Sequence, residues 1–159
     1  MNIIKSESAQ RKTFKVALVV SLFNRPITAA LQESTVERLM QHGFHSDDIT
    51  VVEVPGAFEI PLVVKRLATK KVYGAIIALG AVIRGETTHY ESICAAASEG
   101  CLRVGLDHNI PVVFGVLTTE NEAQAWDRLG GSQGNKGHDA ADCALNMHDI
   151  LTQLEVSNV

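Results

Sequence analysis

The chain has no excess of positive charge: 14 lysines and arginines stand against 18 aspartates and glutamates, a formal net charge of −4. Proteins that hold nucleic acid by neutralising its phosphates need the opposite balance, so nucleic acid is not an expected partner. No apolar run approaches the ~20 residues of a membrane span, and no basic-then-apolar leader opens the sequence. Both absences predict a cytoplasmic protein that makes no membrane contact. Paired cysteines are missing as well. Cys94, Cys101 and Cys143 are an odd number without CxxC spacing. The first two fall seven residues apart in one expected helix, roughly 10 Å between Cα atoms, too far for a disulfide. All three read as small buried hydrophobes in a reducing compartment. His42, His45, His108, His138 and His148 read as solvated, and none has a partner at metal-ligand spacing, so no metal is expected.

What is present is ordinary globular material: 159 residues, 46% hydrophobic and 20% charged, enough for one domain with a core of its own. Residues 1–12 are polar and aperiodic and read as a flexible N-terminal arm, leaving 13–159 as a single domain. Phe14–Val20, Thr50–Val54, Tyr73–Leu79 and Pro111–Leu117 are short Val-, Ile- and Ala-rich runs that barely alternate, as strands buried on both faces do. Between them lie helical patterns. Ile27, Ala30, Leu31, Val36, Leu39 and Met40 form one apolar stripe, stopped at His42-Gly43. Others run over about 58–68, with Pro61 tolerable only in the first turn, and 88–106, where Thr88 and Glu91 have capping-box spacing. Two more cover about 121–129 and 136–154, separated by the glycine-rich 130–134. Alternating strands and helices predict an α/β fold, a four-stranded parallel sheet with helices on both faces.

Ligands of such sheets bind beyond the carboxyl ends of the strands, and the unusual residues of this chain collect there. The first strand is followed by Ser21-Leu22-Phe23-Asn24, with an aromatic ring in a turn, and the second by VPGAFEIP at 54–61. GAVIRGETTHYE at 80–91 follows the third and Thr118-Thr119-Glu120 the fourth. The segment from Gly80 to Thr87 is close to a phosphate-binding P-loop, but Glu86 stands where the lysine would be, which argues against nucleoside-triphosphate hydrolysis. A loop feeding a helix N-terminus still offers backbone N–H groups to a single phosphate. His89 opens the helix beside that loop, and imidazole is the side chain best suited to exchanging protons near pH 7. Arg128 and Lys136 flank the glycine-rich stretch and can bring positive charge to a phosphate, Arg128 with a bidentate grip. Trp126 reads as packing.

Together these loops resemble those of the 6,7-dimethyl-8-ribityllumazine synthase family. The carrying segments are Phe23-Asn24, VPGAFEIP at 54–61, GAVIRGETTHYE at 80–91, FGVLTTE at 114–120, and GNKGHDAA at 134–141 preceded by Arg128. The likeness spans roughly residues 12–154 and implies a flavodoxin-like α/β/α sandwich. It also implies a reaction in the penultimate step of riboflavin biosynthesis. There 5-amino-6-(D-ribitylamino)uracil condenses with 3,4-dihydroxy-2-butanone 4-phosphate through a Schiff base, with elimination of phosphate and ring closure. No metal or organic cofactor is implied, and no protein nucleophile.

Carried over by resemblance, Phe23 stacks on the pyrimidine, with Asn24 beside it. Ala57, Phe58 and Glu59 hold the ribityl chain, and Ala81, Val82 and Ile83 read the pyrimidine edge. Glu86 and Thr87 belong to the phosphate loop, where backbone must dominate because a carboxylate cannot bind phosphate. His89 is the proton donor and acceptor. Phe114, Arg128 and Lys136 come from the adjacent subunit, Arg128 and Lys136 toward the phosphate. The resemblance therefore implies a homo-oligomer with sites at subunit interfaces, a pentameric ring at least. The short GGSQGN between Leu129 and Lys136 favours a hollow icosahedral shell built of pentamers. Riboflavin synthase is a candidate partner. Ser21 stands where many members have a basic residue, and Asp139 where Glu is common. The rival reading is a non-catalytic lumazine- or flavin-binding protein, or a shell protein, on the same scaffold. Such a protein could dispense with His89 and Arg128, and this chain has both.

Overall fold

The structure, a computed structural model, describes residues 1–6 and 11–156. The elements are β1 (Val16–Ser21), α1 (Arg25–Gln41), β2 (Ile49–Val54), α2 (Ile60–Ala68), β3 (Ala75–Ile83), α3 (His89–His108), β4 (Val112–Thr119), α4 (Glu122–Asp127), β5 (Leu129–Gly131), β6 (Gly134–Asn135) and α5 (Lys136–Val156). The first four strands form one sheet in the order β2-β1-β3-β4, parallel throughout. One apolar layer packs α2 and α3 against one face, with Ile60, Val64, Ala97 and Cys101 at its centre. The other packs α1 and α5 on the opposite face through Leu39, Phe44, Ala141 and Leu145. β1 is covered on both sides, which is why its sequence VALVVS scarcely alternates. The expected α/β/α sandwich is therefore the observed one. Among the described residues, no helix is long and apolar enough to cross a membrane.

Several local expectations change. β3 does not stop at Leu79: Ala81, Val82 and Ile83 pair with Leu117, Thr118 and Thr119, so half of the expected third loop is strand. Residues 130–134 are not a bare linker but the tip of a hairpin, β5 against β6, with Gly130 and Gly134 at φ 101° and 74°. Thr88 precedes α3 without a side-chain cap, its backbone at φ −73° and ψ 2° rather than extended, and the Glu91 carboxylate pairs with Arg84. Met40 and Cys143 lie exposed rather than in the core. Trp126 is exposed too, its indole N–H donating to Glu122 Oε1 at 3.1 Å. Nor are all the histidines solvated. His148 stacks on Phe14 at 3.6 Å between ring centroids and approaches the Gly74 carbonyl, and His42 Nε2 lies 2.9 Å from Asp142 Oδ1.

Three of the contacts that join α5 to the rest stand out. Gly137 lies so close to α1 that a Cβ there would meet Ser34 Oγ at 1.9 Å and the Leu31 carbonyl oxygen at 2.8 Å. At the other end of the contact, Arg38 of α1 grips Asp142 of α5 with two hydrogen bonds of 2.9 and 3.0 Å, and His42 shares the carboxylate. Farther along α5, Arg11 and Ser6 both donate to Asp149 at 2.7 Å. Burial would push the Asp142 carboxyl up, but the hydrogen bonds from Arg38 and His42 outweigh it and hold it below its ordinary value. A carboxyl lowered in the folded state stabilises the fold above its unfolded pKa, and that contribution disappears as the pH falls through the folded value. Thermal unfolding followed from neutral pH to below about pH 4 should therefore show a falling midpoint. Asp142→Asn should lower the midpoint at neutral pH and flatten the acid fall. A variant with the full acid fall would remove Asp142 from this role.

Candidate active site

The carboxyl ends of β1, β2 and β3 open onto a cavity of about 500 Å³. Its first wall is the turn after β1. Leu22 N–H donates to the Val54 carbonyl at 2.8 Å and Phe23 N–H to the Pro55 carbonyl at 3.1 Å, tying this turn to the one after β2. Asn24 then adopts the left-handed conformation (φ 58°) and its side-chain amide donates to the Ala81 carbonyl at 2.9 Å, tying it to β3 as well. Held this way, Phe23 projects with 70% of its surface exposed, a large apolar ring that no core packing accounts for.

The second wall is the 3₁₀ turn Ala57–Glu59, from which Phe58 also stands exposed while Ala57 is buried. A Cβ on Gly56 would come within 3.0 Å of Glu59 Oε2, so the glycine leaves room for that carboxylate. Pro61 sits in the first turn of α2, where its missing N–H has no intrahelical partner to lose. The third wall is the end of β3, Ala81, Val82 and Ile83. The fourth is the first turn of α3, with His89, Tyr90, Ser92 and Ile93. Of the expected site residues, Phe23, Ala57, Phe58, Glu59, Ala81, Val82, Ile83 and His89 thus surround one space. Asn24 braces it from behind. Gly56, Tyr90, Ser92 and Ile93 were not expected. For Ile93 the signal was available, because it lies one helical turn after His89 and so shares its face. Burial pushes the Tyr90 phenol up, so this wall presents a neutral hydroxyl.

The remaining expected residues lie elsewhere. Glu86 and Thr87 are exposed on the loop between β3 and α3, where Thr87 Oγ1 accepts from the His89 N–H at 3.3 Å. Phe114 and Lys136 line a different hollow of about 330 Å³ beside the edge strand β4. Lys136 Nζ there pairs with Asp139 at 2.8 Å. Arg128, at the end of α4, donates from Nη1 to the Gln124 carbonyl at 2.8 Å. Among the described residues, no three His, Cys, Asp or Glu side chains group closely enough to hold a metal ion.

The profile of the 6,7-dimethyl-8-ribityllumazine synthase family matches residues 13–152, which include every wall of the cavity. The chain belongs to that family. Two relatives named 6,7-dimethyl-8-ribityllumazine synthase, from Coxiella burnetii strains CbuG_Q212 and RSA 493 / Nine Mile phase I, are each 48% identical over 146 residues. Those residues are 92% of this chain and 97% of the relative. Within the lumazine synthase family, then, this chain has a cavity walled largely by three of the segments that carried the sequence resemblance, those at 23–24, 54–61 and 80–91.

Proposed function

We propose that the chain condenses 5-amino-6-(D-ribitylamino)uracil with 3,4-dihydroxy-2-butanone 4-phosphate to give 6,7-dimethyl-8-ribityllumazine, phosphate and water, the penultimate step of riboflavin biosynthesis. The observation that carries this reading is the convergence of Phe23, Glu59, the β3 end and His89 on one cavity in a member of this family. An exposed ring opposite aliphatic walls suits a flat heterocycle, and Phe23 stacks on it. Ala57, Phe58 and Glu59 hold the ribityl chain, with Glu59 accepting from sugar hydroxyls. Ala81, Val82 and Ile83 offer backbone groups to the pyrimidine edge. His89 gives and takes the protons that Schiff-base formation and phosphate loss require. Glu86 and Thr87 present backbone N–H groups and a hydroxyl to the phosphate. Holding the two substrates in contact supplies much of the remaining acceleration.

Phe114, Arg128 and Lys136 lie outside this cavity on their own chain, near its β4 edge. In our reading they complete the cavity of a neighbouring copy, so that the active unit is a pentameric ring with one site per interface. The tight hairpin 129–135 leaves room for such rings to close into a hollow icosahedral shell, within reach of riboflavin synthase as a partner. The free thiols Cys94, Cys101 and Cys143 suit the reducing cytoplasm, where we place the protein. No observation favours the non-catalytic alternative. Mixing both substrates with purified protein and recording lumazine absorbance and fluorescence tests the proposal. Product formation no faster than in buffer overturns it.

A further inference from the structure

Arg84 is the first residue after β3, and its guanidinium joins three parts of the chain. Its backbone N–H donates to the Thr119 carbonyl at 2.9 Å, adding one more rung between β3 and β4. Nε donates to Glu120 Oε2 at 2.7 Å, in the turn after β4, and Nη1 donates to Glu91 Oε1 in the first turn of α3. The guanidinium carbon lies 4.3 Å from the centre of the Tyr90 ring, in cation–π contact. Tyr90 and His89 are neighbours on that same first turn, and both line the cavity. Residues 85–88, by contrast, are exposed, and a Cβ on Gly85 would meet nothing within 4 Å. Thr88 does not cap α3 with its side chain, and the side-chain acceptor that the His89 N–H finds is Thr87 Oγ1, at a long 3.3 Å. Arg84 is the charged tie between this first turn, the end of β3 and the turn after β4.

Charge decides between two roles for this arginine. It is the cation of this chain closest in sequence to the phosphate loop, but two carboxylates already hold it, so the cluster is negative overall and does not attract phosphate. We propose that Arg84 is a positioning residue for the condensation. It holds the first turn of α3, and through it His89 and Tyr90, at the rim of the cavity without touching substrate. This rests on the proposed function above. Each ion pair is partly exposed and individually weak, so the tie governs local geometry more than overall stability.

Arg84→Gln and Arg84→Lys in the full chain test this. Arg84→Gln should lower kcat roughly 10- to 100-fold, the scale of a small misplacement of a reacting group. The KM for the pyrimidine substrate, most of whose walls lie on other elements, should stay within about twofold. Arg84→Lys, which keeps the charge but not the fork, should fall between. Amide hydrogen exchange should quicken at 89–93 and stay unchanged at 97–104. A kcat within about twofold of the unaltered chain, or exchange unchanged at 89–93, overturns the proposal. Uniformly faster exchange overturns it as well, because that marks general support of the fold. If Arg84→Gln does not fold, Glu120→Gln removes one arm at an exposed position and should loosen 89–93 selectively. A first turn it leaves unchanged overturns the tie. Because exchange needs no substrate, it reads the tie separately from the reaction: absence of product with the unaltered chain overturns the proposed function, and with it the catalytic part of this inference.

Discussion

His89→Ala should slow turnover by roughly 10- to 10⁴-fold, the usual span for losing a positioned proton donor and acceptor. His89 lines the cavity at the first residue of α3, directly after the loop proposed to hold the phosphate. Its imidazole is exposed rather than packed, so removing it leaves no cavity in the core, and the fold should survive. The loss should therefore fall on kcat, while affinity for the pyrimidine, which we assign to Phe23 and the β3 end, changes little. Some activity should remain, because an amine and a ketone held together still condense. Steady-state kinetics with each substrate varied in turn measures the split. Near-normal turnover would take His89 out of the mechanism.

Arg128→Ala should weaken the phosphate substrate by roughly 10- to 100-fold, as expected for one charge-assisted bidentate contact, and leave pyrimidine affinity nearly intact. The decisive experiment combines the two variants. If Arg128 serves a neighbour's cavity, each site needs His89 from one chain and Arg128 from the next. Co-expressing His89→Ala with Arg128→Ala then recreates intact sites, at roughly one interface in four of randomly mixed rings. Activity should return to about a quarter of that of the unaltered protein, well above either variant alone. If both residues served the same chain's cavity, mixing would restore nothing. Light scattering on the same samples shows whether the particles are rings, shells or single chains, and an active single chain sinks the shared site.

The alternation of strands and helices was legible because each buried run is short, apolar and rich in β-branched residues. The end of β3 was not, because Gly80 looked like punctuation. In the sheet it lies against Ser21, where a Cβ would come within 2.9 Å of the hydroxyl, and the strand continues past it. Phe23 stood out because a large apolar ring in a turn has no reason of its own to be there. Phe58 instead read as the start of a helix and was singled out only by the family resemblance. Tyr90 and Ser92 did not stand out, since the side of α3 that faces the cavity depends on how the helix starts against the sheet. His148 was misread for a similar reason. Its partners Phe14 and Gly74 are distant in sequence, and no local pattern announces a stack made across the fold. For Phe114, Arg128 and Lys136 the residue types stood out, but one chain alone cannot bring them to the cavity described here.

Asn24 has a consequence for how this chain can vary. A left-handed backbone at φ 58° is open mainly to glycine, asparagine and aspartate. Its side chain must also donate to the Ala81 carbonyl. Glycine has nothing to donate, and aspartate would set a carboxylate against a carbonyl oxygen. Two independent demands leave one amino acid of the three, before any substrate is considered. A survey of tolerated substitutions would find codon 24 almost invariant and would tempt its reader to draw a ligand contact there. Such invariance would need none, because these two demands belong to the frame that keeps Phe23 aimed.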